Sequence, residues 1–460
     1  MDGSHLVIAA NRGPVSYTRD DSGALVTKRG GGGLVASLAP LVEGTGATWV
    51  GAAMGEADRA ATAGGVVETS GLRYRCLDID AATYRMGYDV IANSALWFVH
   101  HHLFDLPRRP AIDRHWHDAW DGFRAYNQMF GQAVADEAPE GALVLVQDYH
   151  LSLLAAELAA QRPDLRLVHF HHTPFAEPAW LSVLPDEWVR QLLGGLASFH
   201  ACGFHSARWE RSFLACCQEV LGVTPRTFVS GLPAAVDDLA QVAASDACAR
   251  EGRLIDEVVG DRKLIVRVDR MELSKNIVRG FLAYEELLAR REDLRGQVVF
   301  LAYCYPSRET LPEYVEYRAD VETTAQQVND RWGTREWSPV VLNTDDNFAR
   351  SVTALTRYDA LLVNPVRDGM NLVAKEGAAL NRNDGVVVLS RQAGAWDELS
   401  EASIGVNPFD VTETADALDR ALAMPAEERR RMSAAARSAA TARSLRDWLD
   451  DQLAAVGETL

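Results

Sequence analysis

The chain is poor in cysteine. Cys76, Cys202, Cys216, Cys217, Cys248 and Cys304 form no Cys-x-x-Cys pair and have no zinc-type spacing. That excludes a zinc module or a disulfide framework and leaves reduced, buried thiols in a cytoplasmic protein as the expectation. No stretch is apolar for 18 residues, so no helical membrane span is expected. No basic segment followed by an apolar run opens the chain, so no secretory signal is expected. Positive charge is also scarce: 46 basic against 64 acidic side chains give a formal net charge of −18. Such an acidic surface excludes a general nucleic-acid or membrane-surface binder. It still allows a phosphate ligand, held by one local pocket of Arg, Lys and backbone N–H groups.

What is present is an ordinary globular balance, 48% apolar and 24% charged, over 460 residues. That length suits two domains of roughly 200 residues each. Short apolar runs end in polar turns. Leu6 to Ala10 leads into Asn11-Arg12-Gly13-Pro14, Ala142 to Val146 into Gln147-Asp148-Tyr149-His150, and Leu165 to Phe170 into His171-His172-Thr173-Pro174. A second series runs through Leu264 to Val268, Gln297 to Ala302, Ala360 to Val363 and Gly385 to Leu389. Helical patterns intervene, such as Leu151 to Gln161. Buried strands alternating with helices predict an α/β protein with two doubly wound domains. The weakly periodic Ala240 to Asp261 places the boundary near residue 240. The expected division is 1–240, 241–444, and a helix in 445–460 returning to the first domain. Ligands of open α/β sheets bind beyond the carboxyl ends of the strands, which points to a site in an interdomain cleft.

Four stretches carry the chemistry. Gly30 to Gly33 precede a helix-like Val35 to Leu41, a pattern that lets backbone N–H groups approach an anion and that also suits a plain turn. Arg270 and Lys275 follow a strand and suit a diphosphate that gains charge as a sugar bond breaks; a solvated loop is the alternative. In Asn364 to Glu376 a strand ends, a turn follows and a helix begins near Asn371. The N–H groups of Met370, Asn371 and Leu372 can then face a sugar or phosphate, Asp368 can accept from sugar hydroxyls, and Glu376 from a ribose. His169, His171 and His172 have no Asp or Glu at metal-ligand spacing, so one imidazole donating to a sugar hydroxyl or to backbone replaces the metal reading.

Together these motifs resemble the trehalose-6-phosphate synthases, glycosyltransferase family 20, with the two-Rossmann GT-B fold. The resemblance runs from Asn11-Arg12 to Asn407-Pro408-Phe409-Asp410 and includes Tyr88 and Trp97 nine residues apart, Asp148-Tyr149-His150-Leu151, Arg270 with Lys275, and Arg367 to Glu376. It implies that Arg12, Tyr88 and Arg308 hold the phosphate of glucose 6-phosphate and that Trp97 and Asp148 line the acceptor sugar. It assigns the donor diphosphate to Gly33, Arg270, Lys275 and the Leu372 amide. It assigns the donor glucose to His172, Asp368, Met370 and Asn371, and the ribose to Glu376, with Gly32, Gly369 and Val373 completing the donor set. Arg270, Lys275, Asp148, His172 and Asp368 form the expected catalytic group.

The resemblance implies a retaining transfer of glucose from a nucleoside-diphosphate glucose to glucose 6-phosphate by front-face displacement, with no metal or other cofactor. The wording Arg267-Val268-Asp269-Arg270 with Ser274 to Gly280 resembles an actinobacterial branch that includes users of GDP-glucose, so GDP- and UDP-glucose are both carried forward. Ala235 stands where the family usually has glycine. The expected partners are small molecules, with no nucleic acid and no membrane; a homo-oligomer is left open. Closure of the two domains over the ligands, hinged near Pro233 to Asp237, is a further expectation. The rival readings are a cyclitol-coupling pseudo-glycosyltransferase, another GT-B transferase, and a catalytically silent sugar-phosphate sensor.

Overall fold

A computed structural model describes residues 3–29 and 33–459, in two compact units. The first runs to Leu232 and takes in the segment from Leu445; the second is Pro233–Ser444.

The first unit is built on an eight-stranded sheet. From one edge its strands are Thr227–Val229, Ala201–Phe204, Arg166–His171, Leu143–Gln147, Leu6–Ala9, Thr48–Ala52, Leu72–Leu77 and Val67–Thr69. All neighbours are parallel except the last pair. Leu6–Ala9 and Leu143–Gln147 are buried throughout, as apolar runs in a parallel sheet covered on both faces must be. The chain order reverses between these two strands, so the loops holding Arg12 and Asp148 leave the sheet at its switch point. The segment predicted as a helix over Leu151 to Gln161 is helical only at Leu154–Leu158, after a 3₁₀ turn at Tyr149–Leu151. The helix Leu445–Ala454 packs on this sheet. Trp448 is fully buried, with its ring 5.0 Å from that of Phe170, and Ser230 donates to Asp451 at 2.6 Å.

The second unit holds six parallel strands in the order Val340–Asn343, Val298–Pro306, Lys263–Met271, Ala360–Val363, Val386–Ser390, Ile404–Val406. Numbered within the unit this is 3-2-1-4-5-6, the doubly wound order whose switch point lies between strands 1 and 4. Ala240 to Asp261, read as a weakly periodic boundary, is helical: Val236–Ala243 and Asp246–Val259. The buried positions Cys248, Gly252, Ile255 and Val259 do follow helical spacing, but two of them are small and hide the stripe.

Among the described residues no helix is long and apolar enough to cross a membrane. All six cysteines are buried thiols.

Candidate active site

In the second unit the site grows from strand ends at the switch point. Arg267, fully buried, locks the loops together. Its Nε donates to Asp269 at 2.9 Å, and its Nη2 to the Lys275 carbonyl at 2.7 Å and to Asn364 Oδ1 at 2.6 Å. Asn276, in the left-handed region at φ 59°, donates to the carbonyls of Asn364 and Pro408. The Val366 N–H donates to the Ser274 carbonyl. Two loops distant in sequence are thereby fixed side by side, and their charged groups meet. Lys275 Nζ lies 2.6 Å from Asp368 Oδ2, which also accepts from Asn371 Nδ2 at 3.1 Å. Burial pulls the Lys275 ammonium down, but Asp368, Asp269 and Glu272 outweigh it and leave the group above its ordinary value. Lys275 is therefore a fixed cation. Burial alone pushes the Glu376 carboxyl up to about 7.

The predicted helix start is displaced by one residue. Asn371 is the cap, at φ 71°, accepting from the Ala374 N–H, and the helix is Leu372–Leu380. The N–H groups of Leu372 and Val373 lie in its first turn, without intrahelical partners and at the positive end of the dipole. The preceding turn is held from below. The Gly394 N–H donates to the Asp368 carbonyl and the Ala395 N–H to the Met370 carbonyl. A Cβ on Gly394 would come 1.9 Å from the Gly369 carbonyl oxygen, so only glycine fits there. Gly394→Ala is expected to destabilise the protein by about 1–3 kcal/mol, because rigid backbone must yield. Thermal denaturation checks this, and an unchanged Tm refutes it.

Arg270 and Arg308 are brought together by a residue the sequence reading missed. Glu272 Oε1 lies 2.9 Å from Arg270 Nη1 and 3.7 Å from Arg308 Nη1. Of the predicted donor residues, Gly32 lies outside the described residues and Gly33 opens the helix Gly33–Val42.

In the first unit, Asp148 has φ 74°, a strained backbone for a residue with a side chain. Its Oδ1 accepts from the N–H groups of Tyr149 at 2.9 Å and His172 at 3.3 Å. Both ring nitrogens of His172, expected at the donor glucose, have partners within the first unit. Nε2 lies 2.9 Å from Gln147 Oε1 and Nδ1 3.2 Å from His205 Nε2. The Gln147 amide donates to Gln452 of the C-terminal helix at 3.0 Å, and the Leu232 N–H reaches His205 Nδ1 at 3.4 Å. Those two ends set the direction of the chain, so His172 carries its proton on Nε2. Its backbone N–H also ties it to Asp148.

Tyr88 lies in a π-helix, Arg85–Leu96, a form concentrated at functional sites. Its ring stacks on His150 at 5.2 Å and lies 5.0 Å from that of Tyr84. Burial and the nearby Tyr88 raise the Tyr84 phenol, while Arg12 is close enough to oppose them. Arg12, Tyr84 and Tyr88 thus form one cluster, in which Tyr84 was not foreseen. Trp97 stacks on His101 at 3.9 Å and is 6.0 Å from Tyr149.

Burial holds the His169 imidazole well below its ordinary value and brings His171 down to about 3. Neither ring nitrogen of His169 has a hydrogen-bond partner among the described residues. The unfolded chain binds a proton at each below about pH 6.5 while the fold does not, so stability falls with falling pH in that window. These two groups give a slope of about 3 kcal/mol per pH unit between pH 6 and 4. Denaturant titrations across that range are expected to show it, and His169→Phe to reduce it by about one proton; an unaltered slope in the variant contradicts the assignment.

A solved structure from E. coli bound with UDP-2-fluoro glucose matches this fold with a TM-score of 0.86 at 26% identity, covering 99% of both chains. An α,α-trehalose-phosphate synthase (UDP-forming) from Burkholderia xenovorans in complex with glucose-6-phosphate matches with a TM-score of 0.83 at 27% identity, over 97% of this chain and 98% of that one. Two doubly wound units, and the likeness to these structures over nearly the whole chain, define a glycosyltransferase of the GT-B fold. The model of glycosyltransferase family 20 matches residues 4–458. A trehalose-6-phosphate synthase from Mycolicibacterium smegmatis is 32% identical over 490 residues, covering 99% of this chain and 93% of that protein. The chain belongs to glycosyltransferase family 20.

Proposed function

We propose that this enzyme makes α,α-trehalose 6-phosphate from a nucleoside-diphosphate glucose and glucose 6-phosphate, with retention at the donor carbon. The observation that carries the reading is the pairing of Lys275 with Asp368 at the switch point, beside Arg270 and Arg308 gathered on Glu272. Fixed cations suit two phosphate-bearing substrates, and a carboxylate suits sugar hydroxyls. The likeness to structures holding UDP-2-fluoro glucose and glucose-6-phosphate supports both substrate classes.

In this reading Arg270, Lys275 and the first-turn amides of Leu372 and Val373 stabilise the charge that grows on the departing diphosphate. Asp368, held by Lys275 and Asn371, orients the donor glucose, with the Gly369–Met370 turn beneath it. That anchoring disfavours Asp368 as a covalent nucleophile, which supports front-face displacement with the leaving phosphate taking the acceptor proton. Glu376 accepts from the ribose. Arg12, Tyr88 and Arg308 recognise the acceptor's phosphate, and Trp97 and Asp148 its sugar. The test is a panel of UDP-, GDP- and ADP-glucose with glucose 6-phosphate, reading kcat/KM and the anomeric configuration of the product by NMR. Formation of an α,α-linked disaccharide phosphate with at least one donor supports the reading. Nucleotide release with no such product, or no turnover at all, refutes it.

A further inference from the structure

Strands Lys263–Met271 and Val298–Pro306 run parallel with Met271 opposite Pro306, so the loops beginning at Glu272 and Ser307 leave the sheet as neighbours. Register alone therefore brings Glu272, Arg270 and Arg308 into one cluster. The Glu272 side chain is fully buried, whereas that of Arg270 is 43% exposed and that of Arg308 14%. Besides the two guanidiniums, its Oε1 accepts from Ser307 Oγ at 3.2 Å. The backbone fixes the residue as well. Its N–H donates to the Arg270 carbonyl, and its own carbonyl accepts from the Lys275 N–H. A buried carboxylate is costly unless paired, and two guanidiniums this close repel unless a negative charge lies between them.

We infer that Glu272 is a positioning residue for both substrates, one carboxylate orienting the arginine assigned to the departing diphosphate and the arginine assigned to the acceptor's phosphate. The inference rests on the function proposed above. Glu272 meets each guanidinium at Nη1, and an arginine has five N–H donors, so this hold orients the group without excluding a phosphate. Arg308 Nη1 also donates to the Tyr314 hydroxyl at 2.7 Å, which adds a second restraint on that side.

The experiment compares Glu272→Gln and Glu272→Asp with Arg270→Ala and Arg308→Ala. Calorimetric titrations use UDP, GDP and glucose 6-phosphate, each alone, with uridine and guanosine as phosphate-free controls. Glu272→Gln is expected to weaken glucose 6-phosphate and the preferred nucleoside diphosphate by about 10-fold or more each, leave the nucleosides unaffected, and lower kcat. Glu272→Asp, which restores the charge, is expected to recover part of both losses. It also carries the test in the same direction if the Gln variant does not fold. Binding of both ligands as tight as in the parent, or tighter, would show that Glu272 competes for the arginines, and would overturn the inference. A loss confined to one ligand overturns the shared role. If the arginine variants lose affinity while Glu272→Gln does not, the sharing fails and the proposed function stands. If the arginine variants themselves bind like the parent, the proposed function fails and the inference with it.

Discussion

Arg270→Ala is expected to lower kcat about 100-fold or more, with a much smaller effect on the KM for glucose 6-phosphate. Arg270 sits near the end of the first strand of the second sheet, where the chain order reverses and a ligand is most exposed to strand-end groups. Glu272, and secondarily the neighbouring tyrosines, raise the Arg270 guanidinium above its ordinary value against the desolvation of its charged end and against Arg308, so it is a permanent cation. Its side chain is 43% exposed, so its removal leaves no cavity in the core. Glu272 keeps Arg308 at 3.7 Å and Ser307 at 3.2 Å when Arg270 is removed, whereas the Lys275 side chain is 14% exposed, and deleting it empties a nearly buried position beside Asp368, which confuses catalysis with stability. Arg270→Ala is therefore the cleaner probe of leaving-group stabilisation. Steady-state kinetics with saturating donor reads it. A variant with near-normal kcat removes Arg270 from that role, and an equal rise in both KM values with kcat unchanged reassigns it to uniform binding.

The sequence displayed what depends on local pattern. The apolar runs at Leu6, Leu143, Leu264 and Ala360 are strands because a sheet covered on both faces needs uninterrupted apolar residues. The turn at Arg367 to Asn371 was readable because a strand end, a glycine and a helix start follow one another. What was hidden depends on partners distant in the chain. Glu272 looks like any loop acid until the register of two strands brings Ser307 and Arg308 beside it. The ring partners of His172 were equally hidden: Gln147 lies 25 residues away and His205 33 residues away. Gln452 enters only because the C-terminal helix packs on the first sheet. The signal that could have found His205 was its place in Ala201-Cys202-Gly203-Phe204-His205-Ser206, a further apolar run ending in polar residues.

Specificity for the phosphorylated acceptor should rest on Arg308. In the proposed reaction glucose 6-phosphate differs from glucose by one dianion, and a charge-assisted pair is the strongest handle for it. Arg308 has φ 49°, a left-handed conformation that costs alanine as much as arginine, so Arg308→Ala removes the guanidinium without changing the backbone penalty. It is expected to raise the KM for glucose 6-phosphate about 100-fold while kcat at saturation stays within a few-fold. Tyr88→Phe removes one hydroxyl and keeps the ring stacked on His150, so a smaller rise of about 3- to 10-fold is expected. In both variants the preference for glucose 6-phosphate over glucose should shrink by the same factor as kcat/KM falls, because the lost contact touches only the phosphate. Competition between the two acceptors in one reaction, followed by product NMR, measures that ratio directly. Equal turnover of glucose and glucose 6-phosphate by the unmodified enzyme would show that the phosphate is not what these residues read.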